Sequence, residues 1–192
     1  MPACEAPLRR RQAGATIVEF GLIVLLFFAF LFAVIELARM MFLFNTLQEV
    51  TRRAAHGAAV TSPGSTAMDD VRTNAIFRSD HGGLAMMSEL TDLAVRIDYL
   101  SLSRSSSGAY AMQEMASGAV PTSPGANRQN CLFNPYASNC IRLVRARICE
   151  PQVTDSCRPM QFRPMITFFP FSVPLPMATT IVKAQSLGEQ PN

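Results

Sequence analysis

The residues best equipped for chemistry are five cysteines, two histidines and the carboxylates at the two ends of an apolar run. Cys131, Cys140, Cys149 and Cys157 follow one another at gaps of nine, nine and eight, all on the C-terminal side of that run, whereas Cys4 precedes it. Zinc ligands usually come in pairs two to four residues apart. The wider, even spacing argues for disulfides, which persist in an oxidising compartment, and the lone Cys4 reads as a reduced thiol. Four cysteines allow three connectivities. Pairing of neighbours, Cys131–Cys140 and Cys149–Cys157, is favoured because each closes a short loop holding proline or similar turn formers.

Catalysis finds little to work with. His56 falls on the polar face of a helical stretch and His81 stands beside a glycine turn. A cysteine nucleophile needs a histidine close by, and the four candidates are better used as pairs. No nucleophile elbow, phosphate loop, zinc-protease pair or dinucleotide fingerprint occurs. The reading is therefore no enzyme, no catalytic residue, no cofactor and no metal.

The carboxylates lead to the membrane. Phe20 to Ile35 is sixteen residues without a charge, and Ile17 to Leu37 would span about 31 Å as a helix, close to the hydrocarbon core of a bilayer. Arg9, Arg10 and Arg11 lie just before it, and flanking arginines stay cytoplasmic. The expectation is one span, with the N-terminus inside and the C-terminal domain outside. A cleavable secretory signal would have a shorter apolar core ending in small residues. Glu36 can reach the interface and pair with Arg39, three residues on. Glu19 stands two turns inside the arginine triplet, where an acid is costly and marks a function. The net charge of +3 is also local: Arg9 to Arg11 against Glu5 give +2, leaving 14 basic and 13 acidic side chains for the rest. So neutral a domain is a poor partner for nucleic acid, whose affinity rests on many phosphate contacts.

These residues need elements to hold them. The helix should run past the membrane, because Leu47, Val50, Ala54, Gly57 and Ala58 share one side of Asn45 to Ala59. Asn45, Gln48, Glu49, Arg52 and His56 share the other. Ser62-Pro63-Gly64 ends it. The division expected is a basic leader 1–14, a long helix 15–61 spanning the membrane over about 17–37, an extracytoplasmic domain 62–185, and a flexible tail 186–192. Within the domain, Asp69 to Arg78 reads as a helix buried through Met68, Val71, Ala75 and Ile76. Leu93 to Leu100 reads as a half-buried strand, with Leu93, Val95, Ile97 and Tyr99 inward and Arg96 and Asp98 outward. Segment 101–130 reads as a loose surface excursion with a short helix near Ala109 to Met115. Strands are expected over Ile141 to Cys149 and Met177 to Ala184, with another over Met165 to Phe169. Pro170, Pro174 and Pro176 confine the stretch after that strand to an edge or loop. Arg142, Arg145 and Arg147 read as a solvated strand face. The fold class is α+β: one long N-terminal transmembrane and amphipathic helix, then a small domain with an antiparallel sheet.

One ordered set of residues carries a family resemblance. It comprises Gly14-Ala15-Thr16-Ile17-Val18-Glu19-Phe20, the apolar run, Glu36-Leu37-Ala38-Arg39, Asn45-Thr46-Leu47-Gln48 and Arg52-Arg53-Ala54-Ala55. In these roughly fifty residues the chain resembles the TadE-like family of minor pseudopilins, from the tight-adherence machinery that builds bacterial Flp-type pili. The resemblance implies that a prepilin peptidase cuts between Gly14 and Ala15, leaving Glu19 and Phe20 near the new N-terminus to serve assembly. It also implies a place in the bacterial inner membrane with the domain in the periplasm, beside other pseudopilins and pilus-assembly membrane proteins. TadF-like and TadG-like proteins share this anchor, so the paralogue stays open. The competing reading is a bitopic, envelope-anchored adhesin or binding module whose anchor is never cut.

Overall fold

A computed structural model describes residues 14–84, 86–151, 156–165 and 172–188. The arginine triplet, Cys4 and all of the strand read over Met165 to Phe169 but its first residue lie outside the described residues. One helix, α1, runs unbroken over Ala15–Val60. Its first half is rich in Leu, Phe and Ala, and no proline interrupts it before Pro63. Ile17 to Phe32 is exposed almost throughout. It is, among the described residues, the one helix long and apolar enough to cross a bilayer, consistent with a single-pass membrane protein.

From Leu43 the helix changes role. Leu43, Leu47, Val50, Ala54, Ala55, Ala58 and Ala59 are buried at 0 to 2% exposure, while Asn45, Gln48, Arg52 and His56 face outward. On that outer face Glu49 takes Arg52 at 2.8 Å and Arg53 at 2.9 Å. Hydrogen bonds from Arg52 and then Arg53 hold its carboxyl down to about 2. The helix ends where Thr61 turns extended. Its last carbonyls are not left bare: Ala59 O accepts from the N–H groups of Gln185 and Leu187 at 3.1 and 3.2 Å.

The domain wraps this outer half. Helix α2 (Ala67–Ala75) lies against α1, and a Cβ at Gly57 would come within 2.9 Å of Val71, so glycine there lets the two helices close. A two-stranded ribbon comes next, β1 (Gly83–Leu84) with β2 (Met87–Thr91). The main sheet comprises β3 (Val95–Arg104), β4 (Tyr110–Glu114), β5 (Leu143–Ile148) and a last strand at Thr179–Lys183. It is antiparallel in the order β4, β3, β5, last strand. Between β4 and β5 sits α3 (Pro124–Phe133), entered through Ser123, whose hydroxyl accepts from the N–H of Ala126 at 3.2 Å. A second ribbon pairs β6 (Gln161–Phe162) with β7 (Val173–Pro174), so the closing strand of the main sheet is β8. Thr51 of α1 meets Thr180 of β8, hydroxyl to hydroxyl, at 2.9 Å. The architecture is thus mixed α+β with antiparallel sheets, packed around the outer half of α1.

The structure departs from the sequence reading at several places. Leu93 is 75% exposed, because residues 92–94 form a 3₁₀ turn and the strand begins only at Val95. Residues 101–130 are not a loose excursion: β3 continues to Arg104 and hairpins back as β4, and α3 comes after it. The helix read near Ala109 to Met115 is that exposed strand. The tail reading fails at Leu187, which is 1% exposed under the end of α1; residues 189–192 lie outside the described set.

Candidate functional site

Three places carry the charged residues singled out by type and spacing, and the cysteines and histidines lie apart from them. The first is the start of α1. Gly14 precedes the first helical residue, Ala15, with φ −92° and ψ −26°, a conformation open to any L-residue. A Cβ built there would meet nothing within 4 Å among the described residues. The described residues therefore give no steric reason for glycine at this position. One turn on, Glu19 and Phe20 point outward, Phe20 at 68% exposure. Among the described residues Glu19 has neither an ion-pair nor a hydrogen-bond partner.

The second place is the point where α1 leaves its apolar stretch. Arg39 Nη1 lies 3.3 Å from Glu36 Oε2, with both side chains largely covered, at 11 and 14% exposure. Neither group rests on the other alone. Arg39 donates from Nη2 to Met86 O at 2.9 Å, from Nε to the same oxygen at 3.3 Å and from Nη1 to Arg163 O at 3.1 Å. Its guanidinium also stacks 5.0 Å from the Phe162 ring centroid. Glu36 Oε1 accepts from the Met165 N–H at 2.8 Å. A pair shielded from water survives only if its remaining donors and acceptors are used, and here they are used to tie both ribbons to the helix. Those partners lie 47 to 129 residues away in sequence, so nothing local announces them.

The third place is the strand arginines, where the reading as a solvated face holds for Arg142, exposed just before β5, and is overturned for Arg145 and Arg147. Arg145 and Arg147 on β5 converge on Asp98 of β3, at 3.1 and 2.7 Å, and both also reach Glu114 of β4. Asp98 is therefore not an outward polar residue but a buried one, 8% exposed, because two guanidiniums replace its water. The cluster bridges three neighbouring strands.

Both disulfides join neighbours, Cys131–Cys140 and Cys149–Cys157. The first staples the end of α3 near the start of β5, beside Asn127, whose Oδ1 accepts from the Ile141 N–H at 2.7 Å. The histidines do separate things. His56 faces outward on α1. His81 Nδ1 lies 2.8 Å from the Asp92 carboxylate, pinning the turn after α2 to the 3₁₀ turn before β3. That hydrogen bond, with the carboxylate charge behind it, raises the imidazole above its ordinary value. The pair borders a cleft of about 530 Å³ whose one cysteine, Cys149, is disulfide-bonded. Among the described residues no three His, Cys, Asp or Glu side chains are grouped to hold a metal.

Comparison with known proteins separates the anchor from the domain. No curated protein and no solved structure matches the chain. Residues 14–56, which hold the apolar helix, the Glu36–Arg39 pair and most of the domain-facing half of α1, match the family of TadE-like proteins, membrane proteins associated with the Tad pilus.

Proposed function

We propose that the chain is a minor pseudopilin-like subunit that supports assembly of a Flp-type, tight-adherence pilus from the bacterial inner membrane. Its N-terminus is cytoplasmic and its domain periplasmic. A prepilin peptidase removes residues 1–14, and the partners are other pseudopilins and pilus-assembly membrane proteins. The observation that carries this reading is the start of α1. Gly14, where a Cβ would meet no described residue within 4 Å, stands immediately before the helix, and Glu19, without a partner among the described residues, comes one turn later. A glycine that no described contact requires is explained by an enzyme that reads it. An acid facing lipid costs about 2.5–3.5 kcal/mol at mid-helix and less near an end, so Glu19 is explained by a partner it meets on assembly. Cleavage supplies one, the new ammonium of Ala15, on the same chain or on a neighbour.

The test is a pair of substitutions in cells that hold the peptidase and the pilus machinery. Gly14→Val should insert normally yet stay uncut, heavier by about 1.5 kDa, fourteen of the 192 residues that make 21.0 kDa. Glu19→Gln should insert and be cut but co-isolate poorly with other pilus components. A wild-type chain that keeps its full mass beside an active peptidase would instead fit the uncut, envelope-anchored binding module. Normal piliation with Glu19→Gln would remove the assembly role of the charge.

A further inference from the structure

The domain side of the Glu36–Arg39 knot leaves apolar surface where α1 emerges from its membrane stretch. A groove of about 290 Å³ runs along the helix between Ala33, Leu37 and Met40 on one side and Phe162, Pro164 and Val173 on the other. The polar group on its wall is the Glu36 carboxylate, and that already accepts from Arg39 and from the Met165 N–H. Ala33 belongs to the charge-free run and Met40 lies about 10 Å further along the axis. The groove therefore begins within the apolar stretch and ends beyond it.

Two methionines flank it. Met86 is 56% exposed and Met165 is 74% exposed. Both are held at the height of residues 36–39 through their own backbones, Met86 by its carbonyl on Arg39 and Met165 by its N–H on Glu36. Met86 also has φ +69°, a left-handed conformation in which glycine would serve the turn at less cost. What methionine adds there is an outward apolar side chain, one whose burial contributes about 1.5–3 kcal/mol. Arg163, exposed between Phe162 and Pro164, adds a positive charge beside them.

We propose that this surface is a second membrane contact. The turns carrying Met86 and Met165 rest in the head-group boundary of the bilayer that α1 crosses, and acyl chains of that leaflet fill the groove. The bilayer is the occupant because the groove shares Ala33 and Leu37 with the spanning stretch, so the surface that covers the helix there continues over Phe162 and Val173. The inference rests on the membrane span and not on the pilus assignment. Its consequence is that the domain meets the membrane at three points and moves with α1 rather than on a free stalk.

Methyl NMR on the unsubstituted full chain in phospholipid nanodiscs tests it, with methionine and leucine methyls labelled. A lipid carrying a nitroxide near the head group should broaden Met86 and Met165 several-fold more than Met112, which is 58% exposed on β4. A water-soluble gadolinium chelate should give the opposite order. Leu25, 66% exposed in the apolar run, reports the span itself. Met86 and Met165 behaving like Met112 while Leu25 senses lipid would overturn the proposal and leave the span intact. Protection of both from lipid and chelate alike would mean a protein covers the groove, and the proposal fails. Leu25 insensitive to lipid would remove the span and the proposal together.

Discussion

The guanidinium of Arg39, on the membrane helix, is bonded to the carbonyl oxygen of Met86, at the turn of the first ribbon, at 2.9 Å. The same side chain holds Arg163 O at 3.1 Å in the second ribbon. One residue thus joins the helix to both membrane-proximal ribbons of the domain, which is more than an interfacial ion pair with Glu36 requires.

Arg39→Ala should therefore loosen the domain at its base. It strands two carbonyls and the covered Glu36 carboxylate, a loss of about 2–4 kcal/mol. Arg39→Lys should recover only part of this, because an ammonium cannot serve both carbonyls with a planar fork. Denaturant unfolding of the full chain in detergent would measure it, with hydrogen exchange at residues 83–87 and 161–165 as the local readout. An unchanged midpoint and unchanged protection for Arg39→Ala would refute the clamp.

The arginine cluster on the sheet makes a prediction about asymmetry. Asp98→Asn should cost about 3–5 kcal/mol, since it leaves two covered guanidiniums with the half-exposed Glu114 as their remaining counter-charge. Glu114→Ala, whose carboxylate is half exposed, should cost under about 1 kcal/mol. Equal effects in chemical denaturation would show that Asp98 is not the centre of the network.

Linkage through His81 has a definite sign. Asp92 raises the imidazole, so the folded chain holds that proton to higher pH than the unfolded chain does. The stabilisation is complete below the ordinary histidine value of about 6.5 and is lost as pH rises through the raised folded value. With two histidines in the chain, an NMR titration can assign His81 directly. Asp92→Asn should return it towards the ordinary value, and a His81 that titrates at or below that value in the wild type would contradict the pair.

Each disulfide closes a loop of eight or nine residues and should contribute about 2–3 kcal/mol. Cys131→Ser with Cys140→Ser should lower stability by that amount while peptide mapping still finds Cys149–Cys157. A mixed product joining Cys131 or Cys140 to the second pair in the wild type would contradict the neighbour pairing.

The sequence announces what depends on local pattern. The period of Leu47, Val50, Ala54 and Ala58 is visible because one helix face meets one core, and β5 alternates because it lies in mid-sheet. The hairpin of β3 and β4 is hidden, since β4 is exposed on both faces and Ser101 and Ser103 mask the outer end of β3. Helix α3 begins at Ser123-Pro124, a start signal within a stretch poor in large apolar residues. Asp98 looks like a solvent residue because its counter-charges lie 47 and 49 positions downstream. Arg39 likewise shows its partner one turn back, Glu36, and conceals the two carbonyls that matter more. At the start of α1 the residues are legible as a motif, while Glu19 meets no partner among the described residues.

Helix α1 is both the anchor and the spine of the domain core, with no break between the two roles. Its 46 residues make a rod of about 69 Å. A tilt of about 10° in the membrane half would carry Val60 sideways by about 12 Å, with everything packed on it, because the rod geometry contains no joint to absorb the turn. Force applied at the apolar end of the rod is delivered to the domain at the other as displacement, so the chain is built as a mechanical lever as much as a tether.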